Sequence, residues 1–137
     1  MKSPAMRAVV FLGIVYCAVG IAFGLFAGRA ASHQGLVLWR WAAWVVSAMA
    51  FGSHIVYEQR RLGTSPRITA LHVSCAAALG AFGLAVAANL HGLTVAPYRP
   101  STLIVLSLAI WPIMTMVPAF LVALVAALLV ARLAEVR

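Results

Sequence analysis

The sequence predicts an all-α protein, an integral membrane bundle of four transmembrane helices, and two observations support this fold class. Of the 137 residues, 65% are hydrophobic and only 9% are charged, whereas an ordinary soluble domain has roughly 25% charged residues. The hydrophobic residues also form four long runs, and a membrane-spanning helix needs about 20 mostly apolar residues. We therefore predict a single transmembrane domain over residues 1–137, surrounded by the lipid bilayer and without a separate soluble domain.

The first two runs are bounded by residues typical of helix ends at a membrane surface. The first span, about 8–27, follows a short basic start in which Ser3 is the expected N-cap and Pro4 the first helical residue. It is longer than the apolar region of a signal peptide, about 7 to 15 residues, so we expect it to be retained. The second span, about 36–57, has tryptophan and arginine at its start and Tyr57 at its end, as interfacial anchors.

The third and fourth runs follow equally clear breaks in the sequence. Gly63, Thr64 and Ser65 form a turn, and Pro66 opens a third span over about 67–95. Residues 96–100 contain two prolines and form the next loop, which leads to a fourth span over about 103–129.

The basic residues predict the orientation of the bundle. Of the ten lysines and arginines, three fall on one side, Arg29, Arg40 and Arg99, and seven fall on the other: Lys2, Arg7, Arg60, Arg61, Arg67, Arg132 and Arg137. Cytoplasmic loops are enriched in basic residues, so we expect both termini to be cytoplasmic. The charges flank apolar runs and indicate topology, not nucleic-acid binding. The preference for arginine over lysine, with abundant alanine, valine and leucine, is typical of a GC-rich bacterial genome and favours a multi-pass protein of the inner membrane.

Small residues predict where the helices pack. Gly20, Gly24 and Gly28 repeat at intervals of four in the first span, and Gly80 lies among the alanines of the third. Such a ridge lets another helix backbone approach closely. We favour packing within one bundle, with a contact between copies as the alternative.

Two prolines lie near the middle of the fourth span. Pro112 and Pro118 each remove a backbone donor and free the carbonyl four residues earlier, at Leu108 and Met114. Broken helices at this depth form substrate sites in many transporters, but ordinary membrane helices also contain prolines. We predict a structural kink, with transport as the alternative, and expect Thr115 and Ser107 to bond the freed carbonyls.

Two histidines and Glu58 form the one group of side chains in the sequence that could bind a cofactor or carry out chemistry. His54 and His72 lie within about one helical turn of each other in depth, and Glu58 follows His54 by four residues on the same helix face. Two imidazoles and a carboxylate are a conceivable metal site, and His54 and His72 are a conceivable haem pair. We favour the histidines as interfacial polar anchors or hydrogen-bond partners, and we expect an interfacial Glu58 paired with Arg61.

These features favour a protein that is not an enzyme. No catalytic triad, phosphate-binding loop or pair of catalytic carboxylates can be assembled, and no Asp or Glu lies near the middle of a span. The first hypothesis is a non-enzymatic helix-packing bundle without a cofactor, acting as a homo-oligomer or as an accessory subunit of a membrane complex. The alternatives are a transporter or channel that uses the proline-broken fourth span, and a b-type haem or divalent-metal protein that uses His54 and His72.

Overall fold

The computed structural model describes residues 3–95 and 102–135, and all regular structure within them is helical. Four helices follow one another: α1 over Pro4–Gly28, α2 over His33–Arg61, α3 over Pro66–Val95 and α4 over Thr102–Glu135. The four predicted spans are thus confirmed as helices, each slightly longer than expected. The predicted loop at 96–100, with Arg99, and the basic residues Lys2 and Arg137 lie outside the described residues.

Each helix is long and apolar enough to cross a membrane. The helices contain 25 to 34 residues, so at about 1.5 Å per residue they exceed the roughly 30 Å thickness of a hydrocarbon core. These lengths and compositions support a multi-pass membrane protein.

Capping side chains set two of the helix starts. The Ser3 hydroxyl accepts a hydrogen bond from the Met6 N–H at 3.3 Å, directly before Pro4, as predicted. Ser32 accepts one from the Gly35 N–H at 3.1 Å, and this cap begins α2 three residues before the predicted span. Between α2 and α3, Gly63 has a φ of +64°, a left-handed conformation that glycine adopts without a steric penalty.

Helix α3 is the centre of the bundle. Its most extensive interface is with α4, followed by its interface with α1, and α1 also packs against α2. Helix α2 makes much smaller contacts with α3 and α4. These contacts include a small buried cluster, in which Ile55 from α2 meets Ala70, Val73, Ala123 and Ala127. The remaining surface of α2 is largely uncovered, since no residue in its most apolar 18-residue window is buried.

The four glycines that the sequence singles out differ in how closely the neighbouring helix approaches them. A Cβ atom at Gly80 would lie 2.5 Å from the Tyr16 Cβ, and one at Gly20 would lie 2.6 Å from the Leu84 Cδ2. At Gly24 and Gly28, an added Cβ would meet no atom within 4 Å. Within the described residues no neighbouring atom approaches these two glycines closely, and their role in packing stays a prediction.

Further glycines complete the tight contact between α1 and α3. A Cβ at Gly13 would lie 2.8 Å from the Leu79 Cβ, and one at Gly83 would lie 2.7 Å from the Cys17 Sγ. The close approach of α1 to α3 thus depends on glycines from both helices, and the four-residue repeat in α1 identifies only one of them.

Helix α4 continues without interruption through Pro112 and Pro118. We expected Thr115 to bond one of the carbonyls freed by the prolines, at Leu108 or Met114. Instead, its hydroxyl donates to the Trp111 carbonyl at 2.8 Å. Ser107 accepts a hydrogen bond from the Asn89 side chain of α3 at 3.2 Å. The kink at the two prolines stays a prediction.

Candidate functional site

Glu58 lies in the last turn of α2 and is completely buried, with an exposed fraction of 0%. The chain reverses directly after it, since the Leu62 and Thr64 N–H groups both donate to the Glu58 carbonyl oxygen at 3.2 Å. This closure and the start of α3 cover the side chain. Because an isolated carboxylate is costly to remove from water, its partners decide whether the arrangement is stable.

The carboxylate of Glu58 is bonded by residues on both sides of the turn. The His72 Nδ1 of α3 lies 2.9 Å from Oε2 and 3.0 Å from Oε1. The Thr64 hydroxyl donates towards Oε2, at 3.1 Å, and towards the Glu58 carbonyl oxygen, also at 3.1 Å. The Thr69 hydroxyl lies 2.8 Å from that of Thr64. Because the single Thr64 hydrogen points to Glu58, Thr69 is the donor of this last bond.

His54 lies one turn before Glu58 on the same face of α2. Its Nε2 is 3.5 Å from the Glu58 Oε1, and its side chain has no exposed surface. Neither ring nitrogen has a hydrogen-bond partner among the described residues. A neutral imidazole carries one N–H donor and one acceptor nitrogen, so His54 is a buried polar group with unused bonding capacity beside a carboxylate.

We call His54, Glu58, Thr64, Thr69 and His72 the Glu58 centre. Its carboxylate is flanked by two imidazoles and bonded by a hydroxyl, an arrangement suited to holding a negative charge or a proton. The His72 side chain is 26% exposed, whereas those of Glu58 and His54 are fully buried. Of these three side chains, His72 therefore reaches the surface of the bundle.

The structure brings together the three residues that the sequence grouped, His54, Glu58 and His72, but their setting differs from expectation. His54 is buried and is not an interfacial anchor, whereas His72 is a hydrogen-bond partner, as expected. The pairing of Glu58 with Arg61 is wrong, because among the described residues the ion pairs of Glu58 are with His54 and His72. Arg61 is exposed, although it follows Glu58 by only three residues.

The metal and haem alternatives gain little from this geometry. Within residues 3–95 and 102–135, no group of three or more His, Cys, Asp or Glu side chains is arranged to hold a metal ion. The His72 Nδ1 is bonded to the carboxylate, and His54 is directed at the same group, so the two imidazoles share one carboxylate.

Sequence reasoning missed the threonines of the Glu58 centre and a second polar contact. Thr64 had been assigned only to the turn, and Thr69, three residues after Pro66, gave no signal beyond its position in the first turn of α3. The Asn89 side chain donates to Ser107 at 3.2 Å and to the Ala85 carbonyl at 2.6 Å. An asparagine inside an apolar run was the available signal, since polar side chains in membrane helices often bond across to a neighbour.

Comparison of the chain with protein-family models, with curated proteins and with solved structures finds no match.

Proposed function

We propose that the chain is a multi-pass membrane protein without chemistry of its own that works by packing against other membrane helices, as a homo-oligomer or as an accessory subunit of a membrane complex. The supporting observation is the uncovered surface of α2. Trp41 and Trp44 are 67% and 74% exposed, and Met49 is 67% exposed. Large aromatic residues are enriched in the centres of protein interfaces, and α2 presents them on a helix that its own bundle covers poorly.

The proposed setting is the inner membrane of a bacterium, with both termini in the cytoplasm. Under this orientation the Glu58 centre lies at the cytoplasmic end of the bundle, and Trp41 and Trp44 lie towards the opposite end. Tryptophans are favoured at that depth for contacts with lipid headgroups as well as with proteins, so the experiment has to separate the two environments.

Site-specific photocrosslinking in native membranes distinguishes contacts with lipid from contacts with protein. A photoreactive amino acid replaces Trp44, and the matched control replaces Trp111 of α4, which is 60% exposed on a helix that packs extensively on α3. We expect position 44 to yield adducts with a second copy or with another membrane protein, and position 111 to yield mainly lipid adducts. Lipid adducts alone at both positions would contradict the function, and protein adducts at position 111 alone would contradict the assignment to α2.

The transport alternative has less support, because α4 is one continuous helix over Thr102–Glu135 and both prolines lie inside it. Transporters that bind substrates at broken helices do so where the backbone is unwound. The haem and metal alternatives depend on His54 and His72, which are both directed at Glu58.

A further inference from the structure

We propose that the Glu58 centre is a proton-binding site, which exchanges its proton through His72 and thereby controls how firmly α2 is held against α3. The proposal is independent of the assembly function. It starts from a charged side chain that has no contact with solvent, and ionisable groups inside membrane helices usually pair and have functional roles.

The charge balance of the site requires a bound proton. The ionisable groups beside Glu58 are the imidazoles of His54 and His72, and the nearby contact of α2 with α4 is through Ile55, Ala123 and Ala127, which are apolar. The arginines of the neighbouring segments are exposed: Arg7, Arg60, Arg61, Arg67 and Arg132. A buried carboxylate without a counter-charge is strongly unfavourable. The Glu58 carboxyl and the His72 imidazole together become neutral when they share one proton.

This proton belongs to the pair and not to either residue. The His72 Nδ1 is 2.9 Å and 3.0 Å from the two carboxylate oxygens, so a proton held between the two groups is within hydrogen-bond distance of both. Exchange with the surroundings occurs through His72, since its side chain is 26% exposed while Glu58 and His54 have no exposed surface.

His54 adds a second buried imidazole beside the carboxylate, and neither of its ring nitrogens has a hydrogen-bond partner among the described residues. The His54 Nε2 is 3.5 Å from Oε1, slightly beyond the roughly 2.7–2.9 Å of a charge-assisted hydrogen bond.

Occupancy of the site affects α2 because the site lies where α2 meets α3. Contacts between these two helices are the least extensive of the interfaces in the described bundle, and His72 and Thr69 of α3 supply polar bonds across it. Losing the shared proton would leave a buried negative charge at this interface and weaken the attachment of α2.

The carboxyl signal of Glu58 can be resolved by infrared spectroscopy, because the chain has only two acidic side chains, Glu58 and Glu135. The protein is reconstituted in phosphatidylcholine vesicles, and carboxyl and carboxylate bands are recorded as the pH is varied. Glu58→Gln removes the site, and the matched control Glu135→Gln removes the other carboxyl group. Helicity by circular dichroism shows that each variant is folded.

We expect the parent and Glu135→Gln to share a titrating carboxyl band that is absent from Glu58→Gln, in which the carboxyl signal of Glu135 remains. We also expect His72→Gln to change the midpoint of this titration, and hydrogen exchange at residues 58–69 to increase at the pH where the band changes. A Glu58 band that does not titrate, or that titrates identically in the parent and in His72→Gln, would overturn the proposal. Where Glu58→Gln does not fold, the comparison of Glu135→Gln with the Glu135→Gln/His72→Gln double variant decides the question.

Discussion

Gly80 and Gly24 are a matched pair of positions for measuring how tightly α1 and α3 pack. A Cβ at Gly80 would lie 2.5 Å from the Tyr16 Cβ and 3.3 Å from the Gly13 carbonyl oxygen, whereas one at Gly24 would have no neighbour within 4 Å. Both glycines lie inside helices, where replacing glycine by alanine gains about 1 kcal/mol of helix propensity. That gain is common to both variants and cancels in their difference.

The expected cost at Gly80 follows from the geometry. Carbon atoms in contact are about 3.5–4.0 Å apart, so the helices must separate locally by roughly 1 Å to admit the methyl group. The Tyr16 Cβ is attached to the backbone of α1 and cannot rotate away. Overpacking of this kind costs about 1–3 kcal/mol, and we expect Gly80→Ala to be less stable than Gly24→Ala by about that amount.

Reversible unfolding in mixed micelles of a mild detergent and dodecyl sulfate, followed by circular dichroism, measures this difference. Gly20→Ala tests an intermediate case, in which the added methyl group meets a side chain that can move. Its added methyl group meets the Leu84 Cδ2 at 2.6 Å, the end of a side chain that can change rotamer, so we expect a smaller loss. Equal stability of Gly80→Ala and Gly24→Ala would refute the reasoning, and a large loss at Gly24 would place that glycine against a second copy of the chain.

The remaining predictions concern the Glu58 centre and the topology. His72→Ala removes the imidazole that is hydrogen-bonded to both carboxylate oxygens. We expect a loss of about 2–4 kcal/mol in the same unfolding assay, somewhat below the usual cost of breaking a buried pair because His72 is partly exposed. Adding Glu58→Gln should recover part of this loss, and an additive double variant would show that the two residues are not coupled. Reporter fusions after Arg137 and within residues 63–65 should both give cytoplasmic signals, and a periplasmic signal at either position would reverse the orientation.

The helices were predictable from the sequence because each one is specified locally. An apolar run of about 20 residues, a serine cap and a following proline are enough to place α1, and Ser3 and Pro4 occupy the predicted positions. What local patterns cannot specify is which face of a helix its neighbours cover. Gly20, Gly24 and Gly28 are equivalent in the sequence, yet only Gly20 meets an α3 side chain, since the crossing of the two helices determines where they are in contact.

The Glu58 centre was predictable in its membership but not in its environment. The four-residue interval of His54 and Glu58 places them on one helix face in any α-helix, and the turn brings His72 to a similar depth. The burial of Glu58 accompanies bonds from Thr64 in the turn and His72 of α3, and no pattern within α2 contains that information. A charged residue near three arginines was reasonably assigned to the interface, because charged residues are almost never fully buried unless they are paired.

The two attachments of α2 differ in physical character, and this difference bears on its role. Near its start, Trp39 packs against Phe26 of α1 with ring centroids 4.9 Å apart, a contact between apolar groups that does not depend on pH. Near its end, its polar attachment to α3 includes a carboxylate whose bonds depend on a proton. Between these attachments, Trp44 and Met49 are uncovered. A helix fixed by aromatic packing at one end and by a protonatable group at the other can present its exposed face to a partner in a pH-dependent manner, because a change at Glu58 alters only one of its two supports.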